Sequence, residues 1–468
     1  MNKNLSFERL ILLNVPWILA TLLKSDPLVS YYIAWLGSFF IFFATLTGWV
    51  KALPTDMPIA SQLMRPIFSV QIIFAGYTCC TSIFYFLNEL GYNNLSTVKS
   101  IFGLDSEKLY IIAQCQRYYC LGHAAFVSGM LCFMNYPIKL KYRVETRSQS
   151  DLIFHFAIIC LPLSILFTKI PGLSQFSNQL ISLSFIAGTL ALAFAIPQKK
   201  LWYTIVSLGL YFSNFYTALT SGFKEPIIIS ILVLAIFLYP TYKKIVLAVF
   251  IPVIFLLFFL LPTYATTFRA NAWSGDASAD EASELALHAV LNSGDEIDET
   301  NWGFLVYRLS EIDMFTTFVQ STPQQIPFYK TMLMSQSLTA LIPRIFWPKK
   351  PNTEAVIMER VYDAGVVNRA SSVSAKPAFI VDAYLSYGGF GVWLFLFIYG
   401  AVAQSISIKA ERLFGGYLLG TALIFAGLFQ VFWRGLSLEF IINTVFWSYI
   451  TMLIVAWLLR YKNILKPA

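Results

Sequence analysis

The sequence predicts an all-α, polytopic membrane protein, a bundle of about twelve transmembrane helices with a large, partly helical extracytoplasmic loop. Of its 468 residues, 57% are hydrophobic, and the mean hydropathy is +0.65. Charged residues make up only 12%, whereas a soluble domain carries about 25%. Apolar runs recur along the chain, and a helix of roughly 20 such residues crosses a bilayer core of about 30 Å.

These apolar runs are the candidate spans. The first run is predicted to stay in the protein, because Leu-Lys-Ser-Asp-Pro follows it where a signal peptide would need a small-residue cleavage site. The runs at 9–23 and 226–240 are short, so they are expected to be tilted, broken or re-entrant. The predicted spans are 9–23, 28–50, 66–88, 109–134, 151–169, 176–196, 201–220, 226–240, 245–263, 379–404, 413–431 and 438–459.

The basic residues predict how the bundle is oriented. With the N-terminus inside, 17 of the 33 Lys and Arg residues fall on the cytoplasmic side, and 7 fall in short outer loops or within spans. Short cytoplasmic loops are enriched in basic residues, whereas long loops are exempt from this rule. The distribution predicts cytoplasmic termini and three parts: an N-terminal bundle at 1–263, an outer loop at 264–378 and C-terminal helices at 379–468.

Several function classes are disfavoured. The net charge of +8 does not indicate nucleic-acid binding, because the basic residues lie at the ends of apolar segments and form no continuous patch. The six cysteines lie in or beside apolar segments without a CxxC pair, and the three histidines are scattered. These residues are interpreted as packing residues, and neither a metal nor another cofactor is predicted.

Two charges fall within a predicted helix of the outer loop at 303–320, which follows a shorter predicted helix at 281–291. Arg308 and Glu311 recur with Phe304 and Phe315 at three- and four-residue steps, so they are predicted to share one apolar face. A buried charge is costly unless it is paired. The two residues are therefore either an internal ion pair or a substrate-binding Arg308 oriented by Glu311.

A cationic and aromatic segment follows in the outer loop, which we call the proline strip (residues 343–351). It reads Pro-Arg-Ile-Phe-Trp-Pro-Lys-Lys-Pro. Its three prolines are predicted to hold the backbone extended. Arg344 and Lys350 suit phosphate oxygens, and Trp347 suits a sugar face or a lipid headgroup. The alternative is an interfacial anchor whose basic side chains reach towards headgroups.

Isolated charges also lie close to or within the spans. Lys224 lies in the tight connection 221–226, and Arg434 lies between the last two spans with Glu439. Arg117 lies inside the fourth span, where an Arg costs about 2.5–3.5 kcal/mol on insertion scales. It is expected either to reach towards the interface or to face a cavity or a carboxylate.

Asp382 opens the tenth predicted span, in a stretch that continues through Tyr384 to Gly391 and contains three glycines. Glycine permits close approach of two helix backbones. An acid near the outer edge of a span can serve as a general base, or it can pair with Lys376 or with an arginine.

This layout resembles that of the Wzy-type oligosaccharide repeat unit polymerases of bacteria, with many spans and a large outer loop before the last few. Locally the resemblance rests on the proline strip and on residues 382–391, where a polar residue precedes an aromatic, glycine-rich start of a span. It implies a metal-independent membrane glycosyltransferase, similar to the GT-C group. Such enzymes join oligosaccharide units carried on undecaprenyl diphosphate at the periplasmic face of the inner membrane, in the synthesis of surface polysaccharides such as the O-antigen of lipopolysaccharide.

The resemblance also implies roles and partners. It makes Asp382 and Glu311 candidates for the base that accepts the acceptor hydroxyl's proton. The partners that it implies are the lipid-linked oligosaccharide, membrane lipids and a chain-length regulator protein, but no nucleic acid. The diphosphate ligands that it implies are Arg344, Arg308, Lys224, Arg434 and Arg117. The further candidates for substrate binding are Lys350, Trp347 and Tyr384.

Two other functions remain open. An O-antigen ligase would use the same chemistry with a lipid A acceptor, and a ligase typically has a functional histidine in its outer loop. His288 lies in an acidic, loop-like stretch, which argues mildly against this. A transporter or flippase would need charges along a midplane path and often has internal repeats. In this sequence the charges concentrate at one face and no clear repeat is present.

Overall fold

Helices form nearly all of the regular structure of the chain, which confirms the predicted all-α class. The structure is a computed structural model, and it describes residues 6–97, 104–144, 149–170, 174–220, 225–273, 277–292, 295–344, 346–371 and 373–468. The described strands form two short antiparallel pairs, β1 (Tyr92–Asn93) with β2 (Ser96–Thr97) and β3 (Tyr142–Val144) with β4 (Leu465–Pro467).

The described helices begin and end as follows. A 3-10 turn covers Ile59–Ser61, and two segments, Gln71–Cys80 and Leu418–Phe425, are π-helical. The α-helices are α1 Phe7–Leu12, α2 Val15–Leu22, α3 Pro27–Leu46, α4 Ile83–Glu89, α5 Ser106–Phe133, α6 Gln149–Lys169, α7 Ser174–Ala195, α8 Leu201–Leu219, α9 Glu225–Ala272, α10 Ala279–Asn292, α11 Asp295–Tyr307, α12 Ile312–Ser321, α13 Met332–Ala340, α14 Thr353–Asp363, α15 Phe379–Leu413, α16 Ala426–Leu428, α17 Val431–Arg434 and α18 Leu438–Tyr461.

Fewer helices than predicted qualify as membrane spans by length and composition. Among the described residues there are six: Pro27–Leu46, Gln149–Phe167, Phe176–Ala195, Pro226–Ala272, Phe379–Leu413 and Leu438–Tyr461. A count of twelve is therefore not confirmed. Several predicted spans are interrupted, because 9–23 divides into α1 and α2, 66–88 into a π-helical segment and α4, and 413–431 into a π-helical segment, α16 and α17.

The longest helix, α9, bends back on itself at Tyr242, whose backbone is not helical (φ −121°, ψ 42°). In an unbroken helix Ile231 and Leu261 would lie about 45 Å apart, at about 1.5 Å per residue. Instead these two residues share one buried apolar cluster with Ala218. The two arms of α9 therefore pack against each other. They correspond to the predicted spans 226–240 and 245–263. The second arm, however, continues to Ala272, beyond residue 263, where the N-terminal bundle was expected to end.

Helix α15 also reverses, at Tyr387 and Gly388 (φ 60°, ψ −143°). The rings of Phe379 and Tyr399 lie 4.9 Å apart, although 20 residues of straight helix would separate them by about 30 Å. A Cβ added to Gly391 would lie 2.1 Å from the carbonyl oxygen of Ala383. Residues 379–386, the short arm, therefore run antiparallel to residues 389–413, the long arm.

The long arm connects the two ends of the bundle. At its start, Phe328 packs over Gly388. At its end, Glu411 binds Arg65, and the Lys141 N–H donates to the carbonyl of Arg412 (3.0 Å). We call these the loop end, which holds α12–α14, and the basic end, which holds Arg65 and the β3–β4 pair. About 37 Å of helix lies between them, at about 1.5 Å per residue, which is enough to cross a bilayer core.

Glycines bring the long arm and α5 into backbone contact. A Cβ added to Gly400 would lie 1.9 Å from the carbonyl oxygen of Phe126, and one added to Gly129 would lie 2.0 Å from that of Phe397. Small residues at facing positions allow membrane helices to approach this closely. Within a bilayer the hydrophobic effect does not drive helices together, so the van der Waals contacts of such close packing stabilise the pair. The pair of α5 and α15 is thus fixed at the centre of the bundle.

At the basic end, a fully hydrogen-bonded guanidinium ties the loop before Gln71–Cys80 to α15. Arg65 donates twice to Asp56 (2.6 and 2.7 Å), twice to Glu411 (3.0 and 3.1 Å) and once to Gln62 (2.7 Å). All five of its N–H groups are therefore used. The Tyr136 ring lies 3.8 Å from the guanidinium carbon. A buried charge that is satisfied in this way fixes the loop in one position.

Adding a methyl group at Gly400 is expected to destabilise the bundle by about 1–3 kcal/mol, because the facing atoms are backbone and cannot yield easily. Gly209→Ala is the matched control, since no atom lies within 4 Å of a Cβ there. The measurement is the midpoint of thermal unfolding in detergent, followed by size-exclusion chromatography. Equal midpoints for Gly400→Ala and Gly209→Ala would contradict the close packing of α5 and α15.

Removing the Asp56 carboxylate is expected to change how stability depends on pH. The hydrogen bond from Arg65 lowers the pKa of Asp56, although partial burial opposes this. Its contribution is therefore present above the unfolded-state pKa and is lost as the pH falls through the folded-state pKa. The unfolding midpoint of Asp56→Asn should lie below that of the unmodified protein at neutral pH, and the gap should close in acid. A gap that is independent of pH would argue against this linkage.

Candidate functional site

A buried charge cluster at the loop end joins three helices. Arg360 of α14 donates to both carboxylate oxygens of Glu439 (2.7 and 2.8 Å) and to Oδ2 of Asp382 (3.0 Å). The backbone N–H of Leu438 donates to the same Asp382 oxygen (2.8 Å). Asp382 lies on the short arm of α15, and Glu439 lies in the first turn of α18. All three side chains are at most 2% exposed.

This cluster is less completely satisfied than the one around Arg65. Within the described part of the chain, Asp382 Oδ1, Arg360 Nε and the nearby Ser437 hydroxyl have no hydrogen-bond partner. Two carboxylates face one guanidinium, so the formal charge of the cluster is negative. Burial disfavours the charge on Arg360, but Asp382 and Glu439 outweigh it and raise its pKa. Unsatisfied buried polar atoms of this kind are candidates for binding or catalysis.

An apolar groove of about 470 Å³ runs along α15 and α18 beside the cluster. Phe379 and Leu438, which line it, neighbour Asp382 and Glu439 in both space and sequence. Met334 of α13 forms part of its wall. The other lining residues are Phe395, Ile398, Tyr399, Val402, Ile406, Phe432, Ile441, Ile442, Val445, Phe446 and Tyr449. Such a lining is suited to an alkyl or prenyl chain and unsuited to a sugar.

The segment between α12 and α13 covers the short arm, and we call it the cover segment (residues 322–331). The Tyr384 hydroxyl donates to the carbonyl of Thr322 (2.7 Å). The N–H groups of Tyr329 and Lys330 donate to the carbonyls of residues 385 and 386 (2.9 and 3.0 Å). These contacts hold the cover segment on the arm that carries Asp382. The cluster is closed to solvent in this arrangement.

The structure refines the expectations for Asp382 and Tyr384. The partner of Asp382 is an arginine, Arg360, and the expected alternative, Lys376, instead lies 3.4 Å from Glu354. Asp382 does not lie at the outer edge of a continuous span, because the reversal of α15 turns the short arm back along the long arm. Tyr384 is 2% exposed and packs among Tyr118, Phe315 and Phe328, so it does not face solvent.

The expected extended backbone of the proline strip is wrong, because the strip folds into turns. The N–H groups of Phe346 and Trp347 both donate to the Pro343 carbonyl (3.0 and 3.2 Å). Lys350 donates to the carbonyls of residues 340 and 342 (2.7 and 3.0 Å), so it satisfies the C-terminal end of α13. Arg344 donates to the Lys350 carbonyl (3.2 Å), and its side chain remains exposed.

The predicted continuous helix at 303–320 is also wrong. Helix α11 ends at Tyr307 and α12 begins at Ile312, because Glu311 adopts a left-handed conformation (φ 54°). The Tyr119 hydroxyl donates to the Ser310 carbonyl (3.0 Å), which stabilises the turn. Arg308 and Glu311 therefore do not share one helical face. Arg308 is exposed at the loop end, whereas Glu311 is half-buried at the start of α12.

The remaining candidates lie apart from the cluster or outside the described residues. Arg117 is 5% exposed, one of its N–H groups donates to the Ser30 hydroxyl (2.7 Å), and its guanidinium carbon lies 5.7 Å from the centre of the Tyr110 ring. The expected surroundings were an interface, a cavity or a carboxylate. Arg434 is exposed at the end of α17. Lys224 lies outside the described residues. Within the described ranges, no three His, Cys, Asp or Glu side chains are grouped to hold a metal ion.

Arg360 is the site residue that the sequence reasoning missed. A signal was available, because Arg360 shares a buried face of α14 with Ile357 and Val361. An arginine on an apolar helical face requires an acidic partner. That partner, Glu439, is 79 positions away in the sequence, so no local pattern indicates it.

Removing Arg360 is expected to cost about 3–5 kcal/mol, because Arg360→Ala leaves two buried carboxylates without a counter-charge. The triple variant Arg360→Met, Asp382→Asn, Glu439→Gln should recover most of that loss. Arg369→Ala is the control, since its pairs with Glu359 and Asp363 are exposed and worth at most about 1 kcal/mol. A thermal midpoint of Arg360→Ala equal to that of the control would contradict a buried, paired guanidinium.

Comparison with known proteins gives one family and no functional relative. No curated protein matches the chain, and no solved structure matches it. One family profile, described as a domain of unknown function, matches residues 15–467, which is nearly the whole chain. The chain therefore belongs to the DUF8712 family.

Proposed function

We propose that the protein is an oligosaccharide repeat unit polymerase of the bacterial inner membrane. It would lengthen oligosaccharides carried on undecaprenyl diphosphate, at the extracytoplasmic face, with both termini cytoplasmic. The observation that carries this proposal is the apolar groove between α15 and α18, which ends beside buried charges. A polyprenyl diphosphate has a long apolar chain that suits the groove. Its anionic head would be held by exposed cations and not by the net negative cluster, whose carboxylates would instead act on the acceptor.

The groove supports a lipid-linked substrate in particular. About 470 Å³ of space lined by aliphatic and aromatic side chains takes several isoprene units of a prenyl chain. The rest of such a chain would lie in the surrounding bilayer. Burial of apolar surface contributes about 25 cal/mol per Å², so the groove favours a prenyl chain over a water-soluble nucleotide sugar.

Exposed cations at the loop end are suited to the diphosphate. Helix α13 carries Met334 in the groove wall, and the proline strip with Arg344 follows its C-terminal end. The exposed guanidinium of Arg344 can bind two phosphate oxygens at once. Arg308 is the second exposed candidate on this part of the chain. Lys350 is a weaker candidate, because the end of α13 already engages its ammonium group.

The proposed reaction is transfer of a glycosyl group. The hydroxyl of the acceptor sugar attacks the anomeric carbon of the growing chain, and the bond from that carbon to the carrier diphosphate breaks. The bonding electrons leave with the phosphate oxygen, where fixed cations stabilise the developing charge. A carboxylate accepts the hydroxyl proton. Asp382 is best suited to this role, because its Oδ1 accepts no hydrogen bond from the described residues, and Glu311 is the second candidate.

A transporter of lipid-linked saccharides is the second candidate function. The observation that favours it is the set of interrupted helices around the cluster, at Tyr387–Gly388 and between Leu428 and Leu438. Broken helices often form the central sites of transporters. A transporter would move lipid-linked units without lengthening them, so an elongation assay separates the two functions.

The groove gives a direct test. Purified protein in nanodiscs is incubated with lipid-linked units extracted from cells that lack it, and the products are resolved by size. A ladder of longer saccharides is expected. Val445→Trp fills the groove and should lower the rate at least tenfold, whereas Leu453→Trp, at an exposed position of α18 outside the groove, should leave it unchanged. Absence of a ladder would refute the polymerase proposal.

Val445→Trp also distinguishes a loss of prenyl-chain binding from a loss of the transfer reaction itself. Substrates with a short prenyl carrier do not need the groove, so Val445→Trp should elongate them nearly as fast as the unmodified protein does. Equal losses with short and long carriers would show that the groove does not hold the prenyl chain.

A further inference from the structure

A second cavity, of about 300 Å³, lies between α4, the β1–β2 hairpin and α11. The groove and the charge cluster do not contribute to it. Its size is at the lower limit for small-molecule sites, which range from about 300 to 1,000 Å³. We call it the Trp302 pocket. Its lining residues are Asn88, Gly91, Tyr92, Asn93, Glu299, Trp302 and Gly303.

The pocket is built on a fixed aromatic residue. Trp302 is 7% exposed, and its indole N–H donates to the Asn88 side-chain oxygen (3.2 Å). The Phe84 ring meets Trp302 edge to face, with centroids 6.2 Å apart. The space beside it is open at Gly303, where no atom lies within 4 Å of an added Cβ. The ring is thus held in place before any ligand arrives.

The pocket is lined by polar groups of the kinds that form hydrogen bonds with sugar hydroxyls. Side-chain amides both donate and accept, a carboxylate accepts, and a phenol does both. Asn88 and Asn93 supply the amides, Glu299 the carboxylate and Tyr92 the phenol. An aromatic ring surrounded by such groups matches the alternating apolar and hydroxyl surfaces of a pyranose.

The charge of the lining residues further limits the class of ligand that the pocket can bind. Among the described residues, the lining includes one carboxylate and no lysine or arginine. A phosphate or an acidic sugar would therefore meet repulsion without compensation. A neutral sugar meets no such penalty, so the pocket is distinct in chemistry from the exposed arginines assigned to the diphosphate.

Ring contacts connect the pocket to the region of Asp382. Helix α11 continues from Trp302 to the turn at Ser310, which binds the Tyr119 hydroxyl. Tyr119 packs on Phe315, and Phe315 packs on Tyr384 of the short arm. We propose that the Trp302 pocket binds a neutral sugar residue of the oligosaccharide, away from the sugar that reacts. Its part in elongation rests on the proposed function, whereas sugar binding itself does not.

The test is saturation-transfer NMR on the full chain in nanodiscs. The probes are the methyl glycosides of glucose, galactose, mannose, rhamnose and N-acetylglucosamine. At least one of them should bind, and its affinity should fall roughly tenfold or more in Asn93→Ala and in Trp302→Leu, as expected for loss of a hydrogen bond or an aromatic contact. Trp273→Leu, at an exposed tryptophan outside the pocket, should leave binding unchanged.

Two results would overturn the proposal: no saturation transfer to any of the glycosides, or binding that persists in both pocket variants. Asn93 is exposed on the hairpin, so its variant keeps the test valid if Trp302→Leu fails to fold. The outcome is independent of the elongation assay. A ladder without sugar binding would support the polymerase proposal and refute the sugar site. Sugar binding without a ladder would support the sugar site and refute the polymerase proposal.

Discussion

The rest of the loop end depends on one interaction, the guanidinium of Arg360 held between two buried carboxylates. An unpaired charge at this depth would cost several kcal/mol, so α14, α15 and α18 must meet there. A straight α15 could not supply Asp382, because about 25 Å would then separate it from Tyr399. The Tyr399 hydroxyl binds the carbonyl of Phe432 (2.7 Å), near the start of α18. The reversal at Gly388 is therefore what allows the cluster to form.

Arg65 and Arg360 both lie buried between carboxylates, but they differ in how completely their hydrogen bonds are made. Arg65 uses all five of its N–H groups, and it fixes the basic end in one arrangement. Arg360 leaves Nε without a partner among the described residues, and Asp382 keeps an unbound oxygen. A network with unmade hydrogen bonds stabilises the fold less, since each buried group without a partner costs about 1–3 kcal/mol. The cluster around Arg360 therefore carries an energetic cost that the hydrogen bonds of Arg65 do not, as expected for a site that exchanges partners.

The sequence predicted the helices better than the site. The sequence indicated a short helix at 281–291, now α10, and the shortness of the first apolar run allowed for the break that divides it into α1 and α2. It failed at 303–320, because one residue, Glu311, adopts a left-handed conformation that no helical period anticipates. The contacts within the charge cluster were not predicted, for a different reason. Asp382 meets Arg360 and Glu439 only because α15 reverses, and Gly388, at the reversal, looks in the sequence like one of several glycines in a span.

The groove, the charge cluster and the Trp302 pocket differ in chemistry in the way that the parts of a lipid-linked saccharide do. The groove is apolar, the neighbouring cluster is charged, and the Trp302 pocket is polar, with no cation among its described lining residues. In the proposed function a saccharide must reach Asp382, which is fully buried on the same short arm that the cover segment contacts. The cover segment is held by backbone hydrogen bonds to residues 385 and 386 and by the Tyr384 hydroxyl, all on the short arm. Displacing it therefore disturbs the short arm that positions Asp382.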